Sequence, residues 1–275
     1  MLNYNDLKPL KIYYLSSEVY PYSETSGLSK FSREFSIFLN DSKDIEIRLM
    51  QPKYGFISER KYILREVIRL KEMKINYMNK EYIINIKSAF IPNTRVQIYF
   101  LEYNNYYFDL PELLYKSRNG RFYKDNDEKF TFLSEVALET LKRLYWVPDV
   151  IVCNNWQTSM TPILLKEKIK NDPLLKDVKI AYFIHDINSN YDFSNKLFKK
   201  LGIDFNKKNN SQNMLSLAAS HSDLTYVVGD NLDKKDLSKN LGKNKYKIIE
   251  PLDKLSTSDK INLYSMLSQD IHSIV

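Results

Sequence analysis

The feature that most restricts what this 275-residue chain can fold into is its alternation of short, apolar, β-prone runs with segments of helical spacing. KIYYL (Lys11 to Leu15) leads into a small, polar loop, SSEVYPYSETSG, and then an amphipathic stretch from Leu28 to Leu39. IEIRLM (Ile45 to Met50) is stopped by Pro52 and Gly55. After a tyrosine-rich loop (103–124), DNDEKFTFLSEVALETLKRLYW places Phe130, Leu133, Ala137, Leu141 and Leu144 on one helical face and ends before Pro148. VIVCNN and KIAYFIHD read as buried strands, and WQTSMTPILLKEKIK between them reads as a helix with Pro162 near its first turns. MLSLAAS before DLTYVVGD repeats the helix-then-strand order, and YKIIE precedes a polar helix from about Ser258 to Gln269. Strands apolar on both faces and separated by helices pack as a parallel sheet covered on both sides.

The expected fold is therefore α/β, a Rossmann-like, doubly wound, mostly parallel sheet with helices on both faces. Residues 62–101 break the pattern: IINIKSAF and VQIYFLEY alternate apolar and polar positions, with turns at Asn79 and Pro92-Asn93. A strand-rich insertion is expected there. No internal repeat or low-complexity linker divides the chain. Residues 1–250 are read as one domain, and 251–275 as a helical tail or interdomain linker remnant.

Glycine is scarce, six in 275, and the glycines at 27, 55, 120, 202, 229 and 242 never fall within six residues of each other. Neither GxGxxG nor GxxxxGK[ST] can be built from them, which excludes the usual nicotinamide and P-loop phosphate cradles. Forty-one Lys and Arg against 34 Asp and Glu give a net charge of +7. Lys, Asn, Ile, Tyr and Phe are abundant while Arg is sparse, as an AT-rich coding sequence would produce without selection for charge. The stretch with Lys234, Lys235, Lys239, Lys243, Lys245 and Lys247 reads as a solvated face, with no interleaved stacking aromatics. No nucleic-acid partner is expected.

Cys153 has no second cysteine to pair with, the start has no signal-peptide apolar region, and no apolar run reaches a membrane span. A reducing, cytoplasmic setting is expected, with no membrane. His185, His221 and His272 are far apart, so no metal and no cofactor are expected. Asp125-Asn126-Asp127 could be a transferase's metal-binding acid pair, but its place before a helix favours N-capping, and Phe130 at the sixth position excludes an EF-hand. His221 reads as the end of MLSLAAS, where a cation favours the helix dipole.

Ligands of doubly wound sheets sit beyond the strands' carboxyl ends, so the loops after KIYYL, VIVCNN and AYFIHD carry the candidates. His185 ends the third of these strands. Trp146, Trp156 and most tyrosines read as core or rim residues, although a sugar ring also packs on aromatics in a crevice.

These segments resemble the N-terminal domain of the bacterial glycogen and starch synthases, glycosyltransferase family 5. KIYYLSSEVYPYSETSGLSKFSREF is similar to the family's opening strand, Ser-Glu-Val/Ala-x-Pro turn and Lys-Thr-Gly-Gly-Leu loop. RLMQPKYG resembles Met-Pro-Arg-Tyr-Gly, and IYFLEYNNYYFD and DNDEKFTF resemble Phe-Ile-Asp-x-x-x-Tyr-Phe and Asp-Asn-x-x-Arg-Phe. PDVIVCNNWQTSMTPILLKE, FIHDI and LAASHSDLTYVVGDN are similar to its later motifs. The resemblance runs from about Lys11 to Glu250. It implies half of a GT-B fold, whose family transfers glucose from ADP-glucose to the non-reducing end of an α-1,4-glucan with retention. It also implies that the C-terminal domain, which carries most of the nucleotide site, lies outside this match.

The resemblance marks Glu24, Thr25, Ser26, Gly27, Asn155, Trp156, Gln157, His185 and Asp186 as substrate-binding candidates, with His185 and Gln157 as candidate catalytic groups. Several depart from the family: Glu24 replaces Lys, Ser26 replaces the first Gly, and Thr25, Gly27 and Leu28 persist. Asn154, Asn155, Trp156 and Gln157 stand for His-Asp-Trp-His, so two histidines have become amides that do not titrate. His185 matches, Asp186 replaces Asn, and Ser189-Asn190 replaces Tyr-Gln. A unit charge at ~4 Å and an effective dielectric of ~20 is worth about 4 kcal/mol, so a Lys-to-Glu reversal weighs against a diphosphate. The expectation is a degenerate glucosyltransferase domain that is not catalytic alone. Its expected partner is an α-glucan or maltooligosaccharide, with ADP-glucose only if a C-terminal half is supplied in trans. The alternative is a non-catalytic glucan-binding or regulatory subunit.

Overall fold

The structure, a computed structural model, describes residues 8–110, 113–187, 192–203 and 211–275. Its centre is β1 (Leu10–Leu15), which pairs in parallel with β2 (Ile45–Pro52) on one side and with β7 (Val150–Asn154) on the other. The chain first builds outward from β2. It then forms β3 (Arg65–Glu66), β4 (Met73–Tyr77), β5 (Lys80–Phe90) and β6 (Gln97–Glu102). Beyond β7 come β8 (Lys179–Ile184), the short antiparallel pair β9 (Asp192–Ser194) and β10 (Ser211–Asn213), β11 (Leu224–Val228) and β12 (Lys247–Ile249). The main sheet has the order β12-β11-β8-β7-β1-β2-β6-β5-β3, with β4 also on β5. From β12 to β6 every neighbour is parallel, and β6-β5, β5-β3 and β5-β4 are antiparallel. Chain direction across the sheet therefore reverses between β1 and β7, which is where a ligand crevice opens in such sheets.

The helices are α1 (Gly27–Asp41), the single turns α2 (Glu59–Tyr62) and α3 (Asn104–Tyr107), α4 (Asn126–Leu144), α5 (Met160–Ile163), α6 (Asn195–Lys200), α7 (Met214–Ser220), α8 (Lys234–Leu241) and α9 (Thr257–Ser273). Successive residues of a strand point to opposite faces. Tyr13 and Tyr14 of β1 are both buried, so both faces are covered: Tyr14 lies edge-on to Phe35 of α1, and Tyr13 lies edge-on to Trp146 beyond α4. The polar atoms follow suit. Trp146 donates its indole N–H to Glu46 at 2.8 Å, and the Tyr13 hydroxyl reaches the Met50 sulfur at 2.8 Å.

The doubly wound sheet and the strand-rich insertion match the expectation, and the turns fall where Asn was read: Asn79 and Asn93 have φ of 62° and 64°. Three local readings need correction. WQTSMTPILLKEKIK is not one helix but a 3₁₀ turn at Trp156–Thr158, then α5, then a π-helical turn at Leu164–Lys168. Pro162 has no N–H for the carbonyl four residues back, so a regular helix from Trp156 cannot run through it. The helix before Pro148 stops three residues early, where Tyr145 turns left-handed at φ 52°. Asp125 does precede α4, yet its side chain caps nothing. Its backbone is not extended (φ −99°, ψ 10°), and its carboxylate pairs with Lys129 at 3.0 Å.

His221 follows α7 with Nδ1 2.8 Å from the Leu217 carbonyl oxygen and Nε2 3.0 Å from Glu167. The C-terminal helix α9 is capped by Ser256, whose hydroxyl accepts from the Asp259 N–H. It lies on α1, where Tyr264 stacks on Phe35, and Glu34 receives both Lys260 and the Tyr264 hydroxyl at 3.0 Å.

Gly55 shows where glycine is obligatory. A Cβ there would stand 2.1 Å from the Phe108 carbonyl oxygen, backbone that cannot step aside. Gly55→Ala is expected to lower unfolding stability by about 1–3 kcal/mol or more, measured by urea denaturation, since overpacking against backbone cannot relax.

Candidate functional site

The carboxyl ends of β1, β7 and β8 and the loops that leave them enclose a cleft of about 750 Å³. The first loop is held by a residue that reading the sequence did not single out. Glu18, 1% exposed, accepts from the Tyr115 hydroxyl at 2.7 Å, from the Thr25 hydroxyl at 2.7 Å, and from the Thr25 backbone N–H. Burial pushes its carboxyl above the usual range, against the opposing pull of these hydrogen bonds and of one from the Ser26 backbone. Its signal was its place in SSEVYP, directly after β1. Ser26, extended at φ −154°, then ends the loop, and α1 begins at Gly27.

Beyond β7, Asn154 is fully buried and Asn155 adopts φ 58° and ψ −173°, a conformation few residues other than glycine accept. A hydrogen bond from the Asn155 N–H to the Phe183 carbonyl, 2.6 Å, helps to hold it there. Trp156 is 1% exposed, with Tyr115, Phe130, Phe122 and Phe193 edge-on around it at 5.1 to 6.4 Å. The indole thus forms a packed floor and not an open stacking platform. Beyond β8, His185 lies edge-on to Phe31, with Nε2 3.0 Å from the Asn154 side-chain oxygen. Burial lowers its pKa to about 3, so the ring is neutral under ordinary conditions.

All nine residues marked from the sequence, Glu24, Thr25, Ser26, Gly27, Asn155, Trp156, Gln157, His185 and Asp186, line this one cleft. Ser189 and Asn190 lie outside the described residues. The lysines of the lining each have a partner: Lys30 pairs with Glu24 at 3.2 Å, Lys260 with Glu34 at 3.0 Å, and Lys116 lies 4.5 Å over the Phe122 ring. Glu24 and Lys30 thus pair with each other at the exposed rim of the cleft. The side-chain amides of Asn155 and Gln157 present the opposite picture. They are 6% and 2% exposed, and among the described residues the oxygen of each lacks a hydrogen-bond partner. Among the described residues no three of His, Cys, Asp or Glu gather where they could hold a metal ion. No helix of the described residues is long and apolar enough to cross a membrane.

The fold and the cleft at its strand switch define the class, one lobe of a GT-B-type glycosyltransferase. The family described as the starch synthase catalytic domain matches residues 11–244, and the chain belongs to it. Glycogen synthase of Chlorobium limicola is 35% identical over 219 residues, covering 78% of this chain and 44% of that protein. Glycogen synthase of Chlorobium luteolum is 37% identical over 191 residues, covering 70% and 39%. The chain thus spans less than half the length of these relatives, corresponding to their N-terminal part. Among solved structures, the catalytic domain of starch synthase IV from Arabidopsis thaliana, bound to ADP and acarbose, shares the fold. Its TM-score is 0.73 at 18% identity, covering 89% of this chain and 52% of that one.

Two outcomes are expected. A Cβ on Gly27 would meet nothing within 4 Å. Gly27→Ala should therefore leave stability unchanged or raise it by about 0.4–1 kcal/mol, while weakening any ligand that approaches the loop closely. His185 takes a proton in the unfolded chain below about pH 6.5 but in the folded state only near pH 3. The unfolded state binds more protons between these values, so folding stability falls as pH drops through that window. His185→Gln should remove roughly 1–3 kcal/mol of the loss seen between about pH 7 and pH 4.5 in paired urea titrations.

Proposed function

We propose that this lobe grips the non-reducing end of an α-1,4-glucan and does not by itself hold a nucleotide diphosphate. The carrying observation is the chemistry of the cleft: the buried amide oxygens of Asn155 and Gln157 have no partner among the described residues, the ring of His185 is uncharged, and Lys30, Lys116 and Lys260 are already engaged. Buried amide oxygens without partners favour a ligand rich in hydroxyls, which donate to them. A diphosphate needs cations or a row of free N–H groups.

The resemblance to the starch synthases implies the reaction to which the lobe contributes: glucose passes from ADP-glucose to the glucan end with retained configuration. In this reading Gly27 and its loop lie against the sugar, His185 and Gln157 orient hydroxyls, and the nucleotide is held by a second lobe, whether from the same protein or from another chain. Without that lobe the protein acts as a glucan-binding module. The buried, uncharged thiol of Cys153 suits a reducing cytoplasm but does not require one.

Titration calorimetry with maltohexaose and with ADP-glucose tests the reading. Glucan binding is expected, with ADP-glucose at least about tenfold weaker, a difference of about 1.4 kcal/mol. Tight ADP-glucose binding without glucan affinity, or steady glucose transfer by the 275 residues in isolation, would overturn it. Glu24→Lys should raise ADP-glucose affinity, by about tenfold once solvent screening is allowed for.

A further inference from the structure

The histidine of the cleft owes its protonation pattern to a single neighbour. Asn154 ends β7 between β1 and β8, and its side-chain amide is committed to both. Its Nδ2 lies 2.9 Å from the Leu15 carbonyl oxygen. A carbonyl only accepts, so the NH₂ end of the amide must face it, and the amide oxygen must face the other way. That oxygen is 3.3 Å from the Tyr14 hydroxyl, which donates to it, and 3.0 Å from His185 Nε2. An amide oxygen likewise only accepts, so Nε2 must carry the proton. In a neutral imidazole the other nitrogen, Nδ1, is then a bare acceptor. His185 lines the cleft, and its one hydrogen bond among the described residues is the one through Nε2.

We propose that Asn154 is a positioning residue that locks His185 in the Nε2–H tautomer, so that this subsite accepts a hydroxyl proton from a sugar and turns away phosphate oxygens. The proposal rests on the glucan reading above for its ligand but not for the tautomer. The diphosphate diester of a nucleotide sugar carries no proton near neutrality and offers only acceptor oxygens, and acceptor against acceptor is repulsive. A sugar hydroxyl rotates its proton toward Nδ1 at little cost. Where the resembling family has a titratable histidine, an amide here gives a neighbour whose polarity pH cannot reverse. The arrangement also spans three strands, so the ring orientation follows from the sheet register and not from a flexible loop.

The test is long-range ¹H–¹⁵N correlation spectroscopy of the ¹⁵N-labelled protein near neutral pH, with the His185 signals assigned by their loss in His185→Gln. The expected wild-type pattern is a protonated Nε2 and a bare Nδ1. Asn154→Asp, which keeps an acceptor toward Nε2 but adds a negative charge, should keep the proton on Nε2 and raise the pH at which Nδ1 takes a second one. Asn154→Leu, which removes it, should mix the tautomers or move the proton to Nδ1. A wild-type ring protonated on Nδ1 or on both nitrogens overturns the proposal, as does an Asn154→Leu spectrum identical to wild type. Should Asn154→Leu fail to fold, the wild-type and Asn154→Asp spectra still decide.

Saturating maltotriose is expected to shift the Nδ1 resonance, and P¹,P²-dimethyl diphosphate, which has no O–H to donate, to leave it in place. The diphosphate diester shifting Nδ1, or maltotriose saturating without a shift, overturns the selectivity. If maltotriose does not bind at all, the glucan reading fails, while the tautomer lock stands or falls on the ring nitrogens alone.

Discussion

The parallel pairing of β1 with both β2 and β7 is the constraint from which the rest of the molecule follows. Ile12 to Leu15 sit in register with Val150 to Cys153 on one side and with Ile47 to Met50 on the other. Residues 12 to 15 are essentially inaccessible on both faces. A strand buried on both faces must be followed by chain that leaves at its carboxyl end and returns over the sheet, so the loops after β1 and β7 are forced to the same edge. Because the chain builds outward in opposite directions from these two strands, their loops diverge and leave a crevice between them. The β8 loop, next in the sheet, brings His185 to the same crevice.

Within that crevice charged side chains are paired, Glu24 with Lys30 and Glu34 with Lys260. The sequence resemblance would place histidines at Asn154 and Gln157. The amide of Asn154 is fully used, between β1 and His185, whereas the oxygens of Asn155 and Gln157 have no hydrogen-bond partner among the described residues. Polar groups this deeply buried are costly to leave unmade, and the positive φ of Asn155 adds strain at the same place.

The alternation of apolar runs and helical segments was enough to read the doubly wound sheet, because burial on both faces leaves strands no other arrangement. The Asn79 and Asn93 turns were legible for a similarly local reason, since asparagine tolerates φ > 0. The broken segment after Trp156 was less legible: Pro162 announces an interruption, but whether the chain compensates with a 3₁₀ or a π turn depends on what it packs against. The missing cap at Asp125 has the same origin. Its carboxylate had a choice between the helix N–H groups and Lys129, and local sequence does not rank the two.

For the site, the residue types and their positions after strands β1, β7 and β8 were readable from the sequence alone, because the strand ends of a doubly wound sheet fall in one place whatever the loops contain. The sequence likewise determined that no glycine-rich phosphate cradle could form. Only the tertiary structure decided which groups are occupied and which are free: that Glu18 ties down the loop before α1, that each cleft lysine is engaged, that Trp156 is floor and not platform, and that Asn154 dictates the proton on His185. Those outcomes depend on contacts between residues as far as 226 positions apart, set by strand register and by distances of about 3 Å, and no local pattern encodes them.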